Sequence, residues 1–491
     1  MINIRQYEAK AILFVFLALV SFSLVYTSTL NPFAHRIMNI DTSIYVTIAQ
    51  GITRGNVLYR DLLDNKGPLT YFMSVPGYYI GGLTGVWLTE FIILYISFLF
   101  MYKTALLFVR EKTAFLSLIA TSLAMHPYFY VNAGTEEYAL PFLMISLYIF
   151  TRHYLSEKNT NFFSILVLGI CFACSVMIRL NMFPLWAGFC IIIVIELSVK
   201  KKFLDLLKYI TAFTIGTCIV LIPIFVYLWY YNVIDAFYYN VILGGVTRGF
   251  RLSLQEFIKN FYLVINRSFF FIPVCIGIIW FFIRYKSINP FYFFGYLFSY
   301  LLSVIFLSTT HGNTHYNLVL IPFFVPALAF LADSLLHLFS KVKYKHLAVL
   351  LFFCITFSEG ITRMSFYLFK NFDGGSNLKI AGRIIDAHTK PGDKIINLGW
   401  YGDIYHYTKR DYDSKYIFQG ESYDHLPGAR EEFVSYIRNN PPAVMTIFTA
   451  HNDGDGQFKP GWHEEAYALL ETDYTLISDE YGIKIFIKDT P

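Results

Sequence analysis

Residues 39–69 read NIDTSIYVTIAQGITRGNVLYRDLLDNKGPL. This charged stretch lies between two apolar runs, 9–30 and 84–103. Asp41 opens a segment with Ile44, Ile48 and Ile52 on one stripe, which predicts a short helix lying in the membrane interface. Arg60, Asp61, Asp64 and Lys66 follow, and then Gly67-Pro68. A lysine held by a Gly-Pro turn at a bilayer surface is placed to meet a lipid phosphate. It also reads as an anchor whose ammonium snorkels to water. Asp41 has two readings of its own, a helix N-cap or a reactive carboxylate.

Outward from this loop the chain is apolar. Of its 491 residues 56% are hydrophobic, 19% aromatic and only 15% charged, with a mean hydropathy of +0.49. Soluble proteins are about a quarter charged, so the composition predicts a polytopic α-helical membrane protein. Eleven spans are expected, at 9–30, 84–103, 113–127, 138–151, 162–178, 182–199, 207–230, 268–284, 290–308, 316–338 and 346–366. Segment 68–82 is open between an interfacial piece, a re-entrant piece and a further span. The first run lacks a small-residue cleavage site and reads as an uncleaved signal anchor. Short connections rich in Lys and Arg, such as Lys200, Lys201 and Lys202, alternate with external loops poor in them. This places the N-terminus in the cytoplasm and the C-terminus outside. Residues 1–370 form the membrane domain, with candidate catalytic loops at 31–67, 128–137 and 230–267. All six cysteines fall in apolar runs. Cys171 and Cys174 read as small packing residues in a span, since a redox site needs an accessible thiolate.

The tail, 371–491, carries 12 Lys and Arg against 19 Asp and Glu, while the rest of the chain nets +12. KIAGRIIDAHT reads as an amphipathic helix, DKIINLGW and AVMTIFT as buried strands, and YTLISDEYGIKIFIKD as a hairpin turning near Glu480-Tyr481-Gly482. A small extracytoplasmic α/β domain follows from this alternation. Asp403, Asp411, Asp413 and HNDGDG (451–456) make the tail acidic; the last lacks calcium-loop spacing and reads as a solvated loop.

Threaded this way, Asp41, Asp61, Asp64, Lys66, Glu136, Glu137, Arg179, Arg248, Arg251, His311 and His315 fall on one external face. Tyr59 to Leu69, YRDLLDNKGPL, resembles the first external loop of the GT-C membrane glycosyltransferases, chiefly the protein O-mannosyltransferase and lipid A aminoarabinose transferase branch. There the pattern is Tyr-x-Asp-x-x-Asp-x-Lys-Pro-Pro-Leu after an acidic residue and a helix; Gly67 replaces the commoner first proline. Glu136 or Glu137 matches an acidic residue of the second external loop, and Thr314-His315-Tyr316-Asn317 a His-Tyr motif before a late span. The resemblance implies a sugar donor on polyprenyl phosphate and transfer with inversion.

On that reading Asp41 takes the acceptor's proton. Lys66, then Arg179, Arg248 and Arg251, meet the phosphate that leaves as an anion. Tyr45, Asp61, Asp64, Glu136, Glu137, His315 and Tyr316 contact sugar or acceptor. Arg179 equally suits an anchor, and Arg248 and Arg251 a solvated loop. His311 and His315 have metal-pair spacing but no obvious third ligand, so no cofactor is expected, while a divalent metal stays open, with Glu136 or Glu137 as a candidate carboxylate for it. The partners are a polyprenyl-phosphate sugar, an extracytoplasmic glycan, lipid or protein acceptor, and membrane lipids. Nucleic acid is not expected, because the positive charge tracks topology. No Walker A, G-x-G-x-x-G or G-x-S-x-G motif is present. The competing classes are a flippase or transporter of lipid-linked saccharides, which needs charges at mid-membrane depth, and a polysaccharide polymerase.

Overall fold

The computed structural model describes residues 4–129, 132–155, 160–245, 253–267, 283, 289–310, 313–370, 372, 374–412, 414–419, 423, 426, 428–449 and 462–489. The expected span at 268–284 (but for residue 283), together with Arg248, Arg251, His311, Asp413 and 451–456, lies outside the described residues.

The apolar runs form helices: α1 (Ile4–Val25), α4 (Val75–Leu106), α5 (Glu111–Met125), α6 (Thr135–Leu155), α7 (Phe162–Ile178), α8 (Pro184–Val199), α9 (Phe203–Tyr230), α11 (Pro290–Ser308) and α12 (Ile321–Leu338). Between them lie α2 (Ile40–Thr53), α3 (Leu69–Phe72) and α10 (Leu254–Arg267). A 3-10 helix, Thr314–Leu320, leads into α12. The protein is a multi-pass membrane protein, but helix length does not reproduce eleven spans. Among the described residues four helical stretches are long and apolar enough to cross a bilayer, or up to five if a bent pair counts as one. α7 and α8, with 17 and 16 residues, fall short of the ~20 that a full crossing takes.

The expected span at 346–366 is bent. α13 (Lys345–Thr356) and α14 (Ser358–Phe369) meet at an angle of 76°. Ser358, Glu359, Thr362 and Arg363 follow the break. Gly360 lets it press on the carbonyl of Leu123, 2.0 Å from where a Cβ would sit. Segment 68–82 adds no span: α3 has four residues, and α4 is interrupted after Ile80 by non-helical Gly81 and Gly82.

The helix, the two buried strands and the hairpin expected in the tail are present. After α15 (Gly374–Ala387) come β1 (Lys394–Leu398), β2 (Asp411–Tyr412), α16 (Ala429–Asn439), β3 (Val444–Phe448), α17 (Glu464–Asp473), β4 (Tyr474–Glu480) and β5 (Ile483–Lys488). The strands form one sheet in the order β2-β1-β3-β5-β4. β1 is parallel to β2 and β3, while β5 is antiparallel to β3 and β4. The β4–β5 turn places Tyr481 and Gly482 at φ 60° and 75°, the primed geometry that matches strand twist in a two-residue hairpin.

Two hydrophobic cores result. One fills the helical bundle. The other joins the loop between α1 and α4 to the tail, packing Ile44, Ile48 and Leu62 with Ile404, Tyr405 and Tyr412. This overturns the interfacial placement of α2. Its residues 42–51 are all buried, so its apolar stripe faces protein and not lipid.

Small residues set the position of α7, whose end leads into Arg179. A Cβ on Gly169 would lie 2.1 Å from the carbonyl oxygen of α9 Phe213. One on Gly216 would lie 2.0 Å from that of Leu166. Close backbone approach through small residues is the usual basis of helix pairing in lipid. Gly169→Val is expected to force these helices apart at a cost of about 1–3 kcal/mol, read as a lower thermal midpoint in detergent; an unchanged midpoint would contradict this packing.

Candidate active site

Asn39 caps α2: its Oδ1 accepts the Asp41 N–H at 3.1 Å. The Asp41 carboxylate is therefore not the cap. It is about a third exposed, 35%, and Nε2 of buried His315 lies 3.9 Å from its Oδ2. One turn on, Tyr45 is buried, its ring edge-on to that of Tyr71 at 6.0 Å between centroids.

The Lys66 loop is fastened to the end of α7. Gly67 N–H donates to the Ile178 carbonyl at 3.1 Å, and Thr70 Oγ1 donates to the same oxygen at 3.0 Å. A Cβ on Gly67 would stand 2.0 Å from the Met177 carbonyl oxygen. A proline here would lose the hydrogen bond and meet that oxygen, which accounts for glycine in this sequence. Tyr59 OH donates to the Lys66 carbonyl at 2.7 Å. Lys66 Nζ donates to the neutral Asn65 amide at 2.7 Å. Asp64 is buried and accepts from Tyr71 OH at 2.7 Å and Asn65 N–H at 2.6 Å. Burial pushes its carboxyl above the usual range, although Lys66 and both hydrogen bonds pull the other way.

Arg179, directly after α7, ion-pairs with Glu136 at the start of α6. Its guanidinium lies over the Tyr316 ring, 4.2 Å from the centroid, and Thr135 Oγ1 holds the other Glu136 oxygen at 2.9 Å. The clusters form one site. Asp41, Asp64, Glu136 and Arg179 all act electrostatically on Tyr45, and Glu136, Asp41, Arg179 and Lys66 on His315. Asp41, Tyr45, Asp64, Lys66, Glu136, Arg179, His315 and Tyr316, drawn from four separate segments, thus converge.

Two expected residues go elsewhere. Asp61 accepts from Val57 N–H at 2.8 Å and pairs with Arg60 at 2.9 Å. It lines a separate cleft of about 440 Å³ against the tail domain, with Arg54, Lys394 and Tyr412. Glu137 points away from Arg179. Its buried carboxyl makes no hydrogen bond of normal geometry and lies beside Glu90 and the Ala133–Gly134 backbone. Glu90, a carboxylate inside an apolar run, is a residue that sequence reasoning missed. It accepts from Ala133 N–H at 2.6 Å and Ser28 Oγ at 2.8 Å, fixing Ala133 at φ 52°. The adjacent Asn132 carbonyl takes the Thr42 hydroxyl at 2.6 Å, so this turn supports both Glu136 and the start of α2. Among the described residues no three His, Cys, Asp or Glu side chains are placed to hold a metal.

Removing one member of a buried ion pair strands the other, at a cost of about 3–5 kcal/mol. Glu136→Ala is therefore expected to destabilise more than the Glu136→Ala/Arg179→Ala double variant, in thermal unfolding of purified protein. Additive losses would mean that the pair is not coupled.

No protein-family profile and no curated protein sequence matches this chain. Solved structures do. ArnT from Cupriavidus metallidurans in the apo state superposes with a TM-score of 0.62 at 12% identity, over 98% of each chain. The same protein bound to undecaprenyl phosphate gives 0.60 at 13%, over 97% of this chain and 98% of that one. The archaeal oligosaccharyltransferase AglB from Archaeoglobus fulgidus, in complex with an inhibitory peptide and a dolichol-phosphate, gives 0.53 at 13%, over 91% of this chain and 70% of its own. At such identities the likeness is one of architecture: along nearly its whole length this chain has the fold of ArnT.

Proposed function

We propose that the chain is an inverting glycosyltransferase. It moves a sugar from a polyprenyl-phosphate donor to an extracytoplasmic acceptor, namely a cell-envelope glycan, a glycolipid or a protein. The observation that carries this reading is the meeting of Asp41 with Lys66 and Arg179 in a fold whose solved examples include complexes with undecaprenyl phosphate and dolichol-phosphate.

The acceptor hydroxyl oxygen attacks the anomeric carbon while Asp41 takes its proton. The bond from that carbon to the phosphate oxygen breaks on the opposite side, and polyprenyl phosphate leaves with the electron pair. Lys66 faces the charge that develops there. Its ammonium stands beside the Asn65 amide and acts, with Asp41, Glu136 and Arg179, on His315, while Arg179 pairs with Glu136. We assign Lys66 as the principal phosphate ligand because its loop resembles the lysine-bearing first loop of the GT-C glycosyltransferases. Arg179 becomes a rigid second donor, with Arg248 and Arg251 as further candidates from the loop outside the described residues. His315 orients Asp41, and Tyr45, Tyr316 and Glu136 border the sugar. Glu137 and Asp61 stay outside this assignment because of where their carboxylates point. In this reading the N-terminus is cytoplasmic and the tail domain shares the acceptor's side of the membrane.

Asp41→Asn is expected to lower turnover by roughly 10²- to 10⁴-fold with an unchanged thermal midpoint. Lys66→Ala should raise the donor KM and lower turnover together, with Lys66→Arg recovering part of the loss. Near-normal kinetics in Asp41→Asn would remove the assigned base. Unchanged donor kinetics in Lys66→Ala would make Lys66 an anchor.

A further inference from the structure

We infer that Asp403, in the tail domain, is a positioning residue for the reaction centre, holding the start of α2 so that Asp41 faces the substrate. The inference rests on the assignment of Asp41 as the base. It adds a contribution from a domain that supplies none of the assigned side chains.

Asp403 opens a short 3-10 turn, Asp403–His406, just beyond β1. The turn is tied to the sheet, since Asn397 N–H donates to Tyr405 OH at 2.7 Å. From this base it grips the entry to α2 and one side of the helix. Asp403 Oδ1 accepts the Met38 N–H at 2.8 Å. Gly402 N–H donates to Ser43 Oγ at 2.6 Å. His406 Nε2 lies 3.1 Å from Thr47 Oγ1, and its Nδ1 lies 3.0 Å from Tyr78 OH of α4. Gln50 Nε2 donates to the Tyr405 carbonyl at 3.1 Å.

Residues 43, 47 and 50 share one helical face. Asp41 and Tyr45 precede Ser43 and Thr47 by two positions, about 200° around the helix. One face of α2 is thus bolted to the tail domain and the opposite one borders the reaction site. Met38 lies three residues before Asp41, between α1 and α2, where the chain has no helical hydrogen bonds of its own to fix its direction. Asp403 is 1% exposed, and its Oδ2 makes no hydrogen bond of normal geometry. A buried carboxyl with an unsatisfied oxygen is a costly way to fill space. Burial pushes it up to about 7, opposed by the Met38 N–H and Ser43. Asparagine keeps the accepting oxygen in either protonation state, whereas alanine does not.

The test uses full-length protein in vesicles containing a synthetic polyprenyl-phosphate sugar, with amide hydrogen exchange measured on the same samples. Asp403→Ala is expected to lower kcat roughly 10- to 100-fold, the scale of a displaced catalytic group. The donor KM should stay nearly constant, and faster exchange should be confined to residues 38–50. Asp403→Asn should restore both. A Cβ at position 402 would lie 2.5 Å from Thr47 Oγ1, so Gly402→Ala should reproduce the defect and Gly402→Ala/Thr47→Ala should relieve it. Equal kcat and exchange in the alanine and asparagine variants would overturn the inference. Faster exchange across the whole chain in both Asp403→Ala and Gly402→Ala would overturn it in favour of a folding role. If wild-type protein transfers no sugar, the functional proposal fails, while the exchange pattern still decides whether Asp403 holds α2.

Discussion

The peptide N–H of Gly67 meets the carbonyl of Ile178 in a space with no room for a side-chain carbon. This contact joins two segments more than a hundred residues apart in the sequence, and it fixes where Lys66 stands relative to Arg179. Thr70 reinforces it on one side, and the Tyr59 hydroxyl steadies the Lys66 carbonyl on the other. The packing of α7 on α9 then becomes part of the site, because α7 carries the carbonyls that the loop must reach. A network of this kind costs little when every buried donor and acceptor is satisfied, and much when one is not. The turn at Asn132–Ala133, held by Glu90, places Glu136 against Arg179 and supports Thr42 beside Asp41.

Most of this architecture was legible in the sequence because two strong signals carry it. Apolar runs mark the helices, and alternation with turn residues marks the tail strands, including the Tyr481-Gly482 turn. The loop from Asp41 to Lys66 folds on itself and brings Asp41, Tyr45, Asp64 and Lys66 near one another, while Asp61 turns to a separate cleft. Long-range and directional facts were not legible. Glu136 and Glu137 are neighbours in sequence but about 100° apart around a helix, so only one can face Arg179. The Ile stripe of α2 gave the right helix and the wrong surroundings, since periodicity shows that a face is buried and not what buries it. Asp403 and His406 reach α2 from some 360 residues away, a pairing that a single sequence does not encode locally. The bend within the expected span at 346–366 was not legible either, because hydropathy averaged over a window hides the polar residues at 358–363.

The chemistry favours transfer over passage. A flippase or transporter for lipid-linked saccharides needs charged groups along a path at mid-membrane depth. Glu90 is a buried carboxylate within α4, but its oxygens are engaged by the Ser28 hydroxyl and the Ala133 N–H. The remaining assigned charges gather at helix ends and loops, beside a buried histidine and tyrosines. Such a site can hold a phosphate, a sugar and an acceptor hydroxyl together. The Asp61 cleft, bordered by the tail domain, is separate from that cluster. Its lining is already paired, Arg54 with Asp411 and Lys415 with Glu432.

The most direct measurement supplies purified, vesicle-embedded protein with radiolabelled sugar in two forms, on polyprenyl phosphate and on UDP or GDP, in the presence of acceptor-containing membranes. Label should move to the acceptor from the lipid-linked sugar alone, and the Asp41→Asn protein should not move it. Efficient transfer from a nucleotide sugar, with the lipid-linked donor inert, would contradict the account.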